Sequence, residues 1–267
     1  MNLWDNFREY DTTAEQAFLL FSRDGKRREV RESLIHEHFT EISVNCTPVL
    51  KLACTGDHLK ELVIGRLYTE GMIDGTGEVE RLFICGQGLN AEVSLKKKVE
   101  FGAVTEREPS CCTGNKMLAS VVGGRKMKPL PETEPDEKAV FALADRFKED
   151  SALHRATFGT HSCYIYLPDG SIECFEDISR HNAMDKAVGY ALLNDIKLSE
   201  CMLYTTGRVP EDMVRKAVMA GVPVLISKAV PTDASVRLAA EYGLTLICSA
   251  WPDSFKLCLC TESGEES

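Results

Sequence analysis

The sequence predicts a layered α/β domain in the C-terminal half of the chain, preceded by a smaller, strand-rich domain of α+β character. After residue 136, strand patterns alternate with helix patterns, which indicates an α/β layer with a largely parallel sheet. Before residue 105, short alternating runs surround a single helical pattern. The predicted regions are a loosely organised segment 1–25, a strand-rich domain 26–105, a mobile cysteine-bearing loop 106–135 and an α/β domain 136–267.

The N-terminal domain is predicted from alternation and from one helical run. Residues 41–45 alternate and residues 49–52 follow a turn, so both predict strands, as do residues 79–85 and 91–95. Residues 57–72 have helical spacing, with Thr55 as the expected N-cap and Gly71 as the stop. Gly86-Gln87-Gly88 lacks a third glycine and a following helix, so it predicts a plain turn rather than a nucleotide loop.

The C-terminal domain is predicted to begin with a helix over residues 137–149. A hairpin of strands 161–167 and 172–175 follows, across Pro168-Asp169-Gly170. The remaining predicted elements are helix 181–194, strand 201–205, helix 211–220, strand 222–226, helix 233–242, strand 244–248 and strand 255–260.

The composition of the chain argues against several classes of function. A net charge of −10 over 267 residues argues against binding to nucleic acid or to a membrane surface. No apolar run approaches the ~18–20 residues that span a bilayer, and the N-terminus shows no signal-peptide pattern. The 11 cysteines are odd in number and scattered through apparent strands and helices, which favours buried thiols in a reducing cytoplasm.

Four loops of the α/β domain indicate an anionic ligand. In such sheets ligands bind at the carboxyl ends of the strands, and three of these loops open helices whose N-termini suit phosphate. The loops carry Arg180, Arg208 and Lys228, a basic cluster inside an acidic chain. The alternative is that their residues are caps and turns, since Pro210 fits a first helical position and Thr232 an N-cap.

The helix predicted from residue 181 has a polar face as well as an apolar one. Asn182, Asp185, Lys186 and Gly189 share the polar face, and we expect it at the ligand end. A solvated helix face would explain Asp185 and Lys186 equally well, whereas it explains His181 and Asn182 in the first turn less easily.

Cys111 and Cys112 lie in a loop that is basic, unlike the whole chain. Five basic residues stand against Glu106 and Glu108: Arg107, Lys116, Arg125, Lys126 and Lys128. Nearby cations lower a thiol's pKa, so this loop suits a sulfur carrier, disulfide exchange or metal capture. The alternative is two idle surface thiols. No zinc-binding spacing is present, and His36 and His38 are expected on an exposed polar strand, so no bound metal is expected.

These loops resemble the FdhD family of formate dehydrogenase accessory proteins, from about Glu41 to the C-terminus. The most specific match is residues 176–186, Glu-Asp-Ile-Ser-Arg-His-Asn-Ala-Met-Asp-Lys, where Ser179 replaces the family's usual glycine. Further matches are Gly159-Thr160-His161, Thr206-Gly207-Arg208, residues 220–223, Ala229-Val230-Pro231-Thr232, Asn45 and residues 59–73.

The resemblance implies a cytidine-deaminase-like C-terminal domain without the deaminase zinc ligands, and a function in sulfur transfer. A cysteine desulfurase would load a persulfide on a loop cysteine. That sulfur would pass to molybdenum in bis(molybdopterin guanine dinucleotide), a transient cargo, before the cofactor enters formate dehydrogenase. Members of the family are typically homodimers.

Two departures from the family pattern matter. Many members have Cys-x-x-Cys in the central loop; here Cys112 fits the first position and Asn115 stands at the second. A disulfide between Cys111 and Cys112 would be strained. Cys112 is therefore the expected persulfide carrier and Cys111 an assisting thiol. The second departure is Ser249-Ala250-Trp251-Pro252-Asp253-Ser254, where the family usually has a Phe-x-Arg-Gly-like loop, so contacts there are expected mainly through backbone, or not at all.

The sequence thus predicts a cytoplasmic sulfurtransferase-type carrier. The residues expected to line the cofactor site are His161, Arg180, His181, Asn182, Asp185, Lys186, Thr206, Gly207, Arg208, Ser227, Lys228, Pro231, Thr232 and the six residues 249–254. Two other functions stay open: a chaperone that holds the molybdenum cofactor without moving sulfur, and a deaminase-like zinc enzyme, against which the missing ligand spacing weighs.

Overall fold

The structure, a computed structural model, describes residues 10–102, 115–149 and 151–259 and the backbone of residues 2–4. The helices are α1 (Leu59–Thr69), α2 (Glu137–Lys148), α3 (Ala152–Thr157), α4 (Arg180–Leu193), α5 (Glu211–Ala220) and α6 (Asp233–Glu241). The strands are β1 (Asn2–Trp4), β2 (Thr13–Phe21), β3 (Arg27–Ile35), β4 (His38–Val44), β5 (Thr47–Cys54), β6 (Val79–Ile84), β7 (Asn90–Leu95), β8 (Phe101–Gly102), β9 (Lys116–Met117), β10 (Ser120–Val121), β11 (His161–Tyr166), β12 (Ile172–Asp177), β13 (Met202–Thr205), β14 (Val224–Ser227), β15 (Thr245–Trp251) and β16 (Ser254–Leu257).

The N-terminal half is a six-stranded sheet in the order β1-β6-β7-β4-β5-β9, with α1 packed on it. Its strands alternate as predicted: along β4, His38, Thr40, Ile42 and Val44 are buried. The predicted helix is confirmed, but Thr55 is not its cap. Helix α1 begins three residues later than a Thr55 cap would allow, because the side chain of Thr55 is bonded to Asp177 instead.

Residues 13–35 form a separate two-stranded antiparallel sheet of β2 and β3, running from the pair Thr13↔Ile35 to the pair Phe21↔Arg27. The prediction of a loosely organised segment is therefore wrong for residues 13–21. The alternating pattern of a half-buried strand is missing there, because both faces of this hairpin are largely exposed. Cross-strand pairs such as Phe18↔Val30 replace burial in a core.

The C-terminal half is a six-stranded sheet in the order β12-β11-β13-β14-β15-β16. The prediction of a largely parallel sheet is wrong, since only the pairs β13–β14 and β14–β15 are parallel. The β11–β12 hairpin and the terminal β16 add antiparallel strands at both edges. Helices α4, α5 and α6 cover one face and α2 covers the other, which gives the expected layers.

The two halves meet where α1 crosses α4. Gly65 and Gly189 lie at this crossing: a Cβ on Gly65 would stand 1.8 Å from the carbonyl oxygen of Asp185, and one on Gly189 would stand 1.9 Å from that of Glu61. Only glycine lets the two backbones approach so closely. The pair α1–α4 therefore forms the shared layer between the two sheets, and the boundaries of the four predicted regions stay a prediction.

Candidate functional site

The loops expected to share one edge of the C-terminal sheet do so. Strands β12, β13, β14 and β15 run in one direction, because β11 is antiparallel to both β12 and β13 while the next pairs are parallel. Their carboxyl ends thus lie beside the first residue of β11, with His161 opposite Asp177. We call this the carboxyl edge.

The carboxyl edge concentrates positive charge. His161 is partly buried there, and burial lowers its pKa; the nearby charges of Arg180, Lys228, His154 and His181 lower the pKa further. Protonation of His161 is disfavoured by burial first and by the surrounding cations second. An anion bound among these groups would offset the repulsion between the cations, so the edge suits a phosphate-bearing ligand.

Arg180 lies against the loop after β13. A Cβ on Gly207 would stand 2.7 Å from Cδ of Arg180, so the glycine leaves the space that the arginine stem occupies. Arg180 is also the first residue of α4, where the positive end of the helix dipole adds to the potential. Arg208, the next residue of that loop, is exposed.

The hydroxyl residues of the edge bond to backbone. Thr206 accepts from the N–H of Ser162 at 3.0 Å, and Ser227 donates to the carbonyl of Gly207 at 2.8 Å. Thr232 caps α6 in a reciprocal capping box with Ser235. The alternative explanation of Thr232 as a helix N-cap is thus confirmed.

Residues 249–254 were expected to form a loop, and that expectation is wrong for most of them. Strand β15 continues through Trp251 past an irregularity, and β16 begins at Ser254, which leaves Pro252-Asp253 as the turn. The irregularity includes Ser249 with a φ of 48°, whose N–H donates to the carbonyl of Ala229 at 3.1 Å. Ala250 is buried and its carbonyl accepts from the Tyr204 hydroxyl, so only Trp251 of this stretch offers a large exposed side chain.

Asn182 does not face the carboxyl edge. It is fully buried, and its Nδ2 donates to the carbonyl of Ala53 at 2.8 Å and to Oδ1 of Asp177 at 2.9 Å. Its Oδ1 accepts from Asn115 at 2.9 Å. The expectation that Asn182 contacts pterin or guanine is therefore corrected, because its amide group is already hydrogen-bonded to residues of both halves of the protein.

Lys186 is likewise fully buried and paired within the protein. Its Nζ lies 2.8 Å from Asp57 and 3.0 Å from Asp177, and it donates to the carbonyl of Glu176 at 3.0 Å. Although burial opposes a charge, the two carboxylates raise the pKa of Lys186 above its usual value. Lys186 is thus a buried cation that links α4 to the segment before α1, rather than a ligand to cofactor.

Asp185 occupies a second buried cluster of charges. Its carboxylate lies 2.8 Å from Nζ of Lys216 and 3.3 Å from Arg66, and accepts from the Thr69 hydroxyl at 2.7 Å. The expectation that it lines the cofactor site is corrected for the same reason as for Lys186: Asp185 is fully buried, and its carboxylate is paired with cations on α1 and α5.

His181 lies behind the edge rather than on it. It is 1% exposed, and its Nε2 stands 3.0 Å from Oδ2 of Asp212 on α5. It is the last of the nearby groups that lower the pKa of His161. His181 therefore lies close behind the edge without a surface for contact, which corrects the expectation that it lines the site.

The residues expected to line the site leave out three side chains around the edge, of which only Glu176 belongs to a loop that the sequence had singled out. His154 lies on the short helix α3, for which six residues give too little periodicity to detect. Phe147 stacks beneath Lys228, whose Nζ is 4.7 Å from the ring centroid, and its ring contacts Trp251. Glu176 accepts from the backbone N–H groups of Leu153 and His154 and so holds α3 beside the edge.

Cys111 and Cys112 lie outside the described residues, so their expected roles stay predictions. The described thiols are Cys46, Cys54, Cys85, Cys163, Cys174, Cys201, Cys248 and Cys258. Within the described ranges, no three His, Cys, Asp or Glu side chains are grouped so as to hold a metal ion. His38, expected on an exposed strand, is 7% exposed, with Nε2 3.0 Å from the carbonyl oxygen of Gly88. Among the helices of the described residues, none is long and apolar enough to cross a membrane.

Known proteins match nearly the whole chain. The curated sulfur carrier protein FdhD of Bacillus pumilus is 30% identical over 247 residues, which cover 88% of this chain and 91% of that one. The protein of the same name from Streptomyces coelicolor is 32% identical, over 84% and 86% of the two chains. A crystal structure of a candidate formate dehydrogenase accessory protein from Desulfotalea psychrophila superposes with a TM-score of 0.75 at 23% identity, covering 94% and 98%, which confirms the mixed α/β fold. Residues 35–261 match the model of the FdhD/NarQ family, and the chain belongs to that family.

Proposed function

We propose that this chain is a sulfur carrier that serves formate dehydrogenase. The relatives that it matches over most of their length bear the name sulfur carrier protein. The finer proposal is that Cys112 accepts sulfur as a persulfide and that the sulfur passes to the molybdenum of bis(molybdopterin guanine dinucleotide) before the cofactor is inserted. On delivery the S–S bond at Cys112 would break and the Cys112 thiolate would leave, while the transferred sulfur would take two electrons, from reduced molybdenum or from a thiol reductant, to become a sulfido ligand.

Loading follows ordinary thiol chemistry. The Cys112 thiolate attacks the outer sulfur of a persulfide on a cysteine desulfurase; the new S–S bond forms as the old one breaks, and the desulfurase thiolate leaves. No external oxidant is needed. The basic residues beside the cysteines favour the attacking thiolate, since cations lower the pKa of a thiol.

The observation that carries the cofactor part of the proposal is the convergence of charge on His161. Arg180 and Lys228 act on that imidazole from the loops after β12 and β14, and His154 from α3. Such a group of cations at the carboxyl ends of strands suits the pyrophosphates of a guanine dinucleotide. Trp251, 45% exposed next to Phe147, offers an aromatic surface for a ring of the same ligand.

The test of the sulfur step is direct. The protein is incubated with a cysteine desulfurase and cysteine, and intact and peptide masses are measured. We expect one added sulfur on Cys112 that is absent in Cys112→Ala and present in Cys111→Ala, the matched control. An unlabelled Cys112 together with normal formate dehydrogenase maturation by Cys112→Ala would contradict the proposal.

A cofactor chaperone that moves no sulfur is the second candidate. The cationic edge favours it, because that edge would hold the cofactor whether or not a thiol acts. It predicts that Cys112→Ala still matures formate dehydrogenase, whereas Arg180→Met does not. Sulfur transfer predicts that both variants fail.

Three further features are proposals. The layers of the C-terminal half are proposed to follow the cytidine-deaminase-like arrangement, which superposition on a deaminase tests. The chain is proposed to act as a homodimer, and light scattering tests this. It is also proposed to work in the cytoplasm together with a cysteine desulfurase and formate dehydrogenase; localisation and pull-down experiments in the native cell test this.

A further inference from the structure

The β2–β3 hairpin is a sheet of only two strands, and both of its faces are largely exposed. Four consecutive apolar side chains at the end of β2 are exposed to solvent: Phe18, Leu19, Leu20 and Phe21. A two-stranded hairpin is at best marginally stable in water and needs a further strand or a packed face. Among the described residues β3 pairs with β2 alone, so its other edge is a template onto which a second chain can add a strand. We call it the open edge.

The hydrogen bonds of the hairpin show which residues of β3 serve the open edge. The N–H of His36 donates to the carbonyl of Thr12, and the N–H of Ser22 donates to the carbonyl of Lys26, just beyond the two ends of the paired strands. Hydrogen-bonded pairs alternate with non-hydrogen-bonded pairs along an antiparallel ladder, so the even-numbered residues of β3 bond to β2. The odd-numbered residues turn their N–H and C=O groups to the open edge: Arg27, Glu29, Arg31, Ser33 and Ile35.

The charged residues of β3 complement a second copy of the same strand. When two copies run antiparallel about a two-fold axis at Val30, Arg28 of each copy lies opposite Glu32 of the other. Glu29 of each copy likewise lies opposite Arg31 of the other. Unlike charges directly opposite each other stabilise a pair of strands. Every charged residue from 28 to 32 then has an opposite charge as its cross-strand partner, and Val30 meets its own copy.

The neighbouring two-fold registers lack this complementarity. An axis at Glu29 places Glu29 opposite its own copy and Arg27 opposite Arg31, and an axis at Arg31 places Arg31 opposite its own copy. Like charges directly opposite each other destabilise a pair of strands. The axis at Val30 also suits the backbone, because Glu29 and Arg31 on either side of it both present bonding groups to the open edge. The sequence of β3 therefore specifies one register.

We propose that two copies of this chain join at the open edge of β3 and form one four-stranded sheet, in the order β2-β3-β3-β2, about a two-fold axis at Val30. This inference rests on the proposed homodimer and identifies its surface. The contact is isologous, since the same strand is used by both copies, as a two-fold dimer requires. It also extends the apolar pair Phe18↔Val30 into a row of four side chains across both copies.

The base of the hairpin lies beside the carboxyl edge. A Cβ on Gly159 would stand 3.3 Å from the side chain of Ile35, the last residue of β3. Gly159 is two residues before His161, the first residue of β11. The joined sheet would therefore connect the carboxyl edges of the two copies within one assembly.

A charge reversal with its rescue tests the register. Arg31→Glu replaces both attractions to Glu29 by repulsions, so the dimer dissociation constant, measured by analytical ultracentrifugation at low salt, is expected to rise by about tenfold or more. Adding Glu29→Arg to that variant restores opposite charges across the axis and is expected to return the constant to within about threefold of the parent. Both side chains are exposed, so the fold of each copy is expected to be unchanged. Arg237→Glu, the same charge reversal at an exposed position on α6, is the matched control and is expected to leave the constant unchanged.

A cross-link tests the axis itself. Two residues that face each other in a non-hydrogen-bonded pair have their Cα atoms ~4.5 Å apart, within the range that a disulfide spans. Val30→Cys is therefore expected to link to its own copy on treatment with oxidised glutathione, in which two thiols give one disulfide and two molecules of reduced glutathione. Leu34→Cys, on the same face of β3, is the matched control, because its two copies would lie ~27 Å apart. Peptide masses identify the linked residues.

The contrary outcomes differ for the interface and for the homodimer. A dimeric parent protein whose dissociation constant does not respond to Arg31→Glu would overturn the interface and leave the homodimer standing. Linking of Leu34→Cys as readily as Val30→Cys, or no link at Val30→Cys, would overturn the register. A parent protein that stays monomeric would overturn the homodimer and this interface with it, and a link from Val30→Cys to a different protein would assign the open edge to that partner instead.

Discussion

At the scale of single residues, the polar face of α4 shows how burial decides what a motif does. Asn182, Asp185, Lys186 and Gly189 share the face that was expected at the ligand end, and all four are buried against the N-terminal half. Arg180, two residues before Asn182, keeps its place at the carboxyl edge. The same eleven-residue match thus contains both the proposed ligand contact and the connectors that hold the two halves together.

The lowered pKa of His161 leads to a prediction about how stability depends on pH. Its folded-state pKa is lowered, so below its ordinary value of ~6.5 the unfolded chain binds the proton more readily. The stability that His161 contributes is therefore present above that range and is lost as pH falls toward the lowered pKa. Lys228→Met removes one repelling charge, and the pKa of His161 is expected to rise toward its ordinary value, as measured by histidine NMR titration.

The same titration supplies the control. Arg237→Met removes an exposed charge on α6 that is not among the causes of the His161 shift, so it is expected to leave the titration in place. Added guanosine diphosphate is expected to raise the pKa of His161. A titration at or above the ordinary value in the parent protein would contradict the cationic edge.

At this scale, the sequence could predict which loops share an edge, but not which side chains are buried between the two halves. The strand–helix order located Arg180, Gly207 and Lys228 at one edge, because strand direction alone determines which loops meet. It could not show that Asn182 faces Ala53, since that contact joins residues 129 positions apart. Nor could it reveal His154, because the helix that carries it is shorter than two turns.

At the scale of elements, the crossing of α1 and α4 depends on glycine. In Gly189→Ala the new Cβ would meet the carbonyl oxygen of Glu61 at 1.9 Å, and backbone cannot step aside as a side chain can. We expect a loss of about 3 kcal/mol or more in the free energy of unfolding, measured in urea, despite the gain of ~1 kcal/mol in helix propensity.

Gly77→Ala is the matched control for that crossing, since a Cβ there meets nothing within 4 Å. It is expected to change the free energy of unfolding by less than about 0.5 kcal/mol. If Gly189→Ala were as mild as Gly77→Ala, the close approach of the two helices would be wrong.

At the scale of the whole molecule, buried charges as well as helix packing join the two halves. Lys186 pairs across the boundary with Asp57, while Asp185 pairs with Arg66 on α1 and with Lys216 on α5. If one half folded alone, these charged side chains would be either exposed to solvent or buried without a partner. The sequence divides the chain into two domains by its patterns, yet the contacts indicate one cooperative unit.

Cooperative unfolding is the last prediction. Peptides from β4–β7 and from β13–β15 are expected to lose hydrogen-exchange protection at the same urea concentration, in a single transition for which calorimetric and van 't Hoff enthalpies agree. Asp185→Ala leaves Arg66 and Lys216 buried without that carboxylate, and should lower the free energy of unfolding by about 3–5 kcal/mol. The two sheets should still unfold together in that variant, since Lys186 and the glycine crossing remain. Two separated transitions in the parent protein would show that the halves are independent, and the buried charges would then have to be assigned to stability within each half.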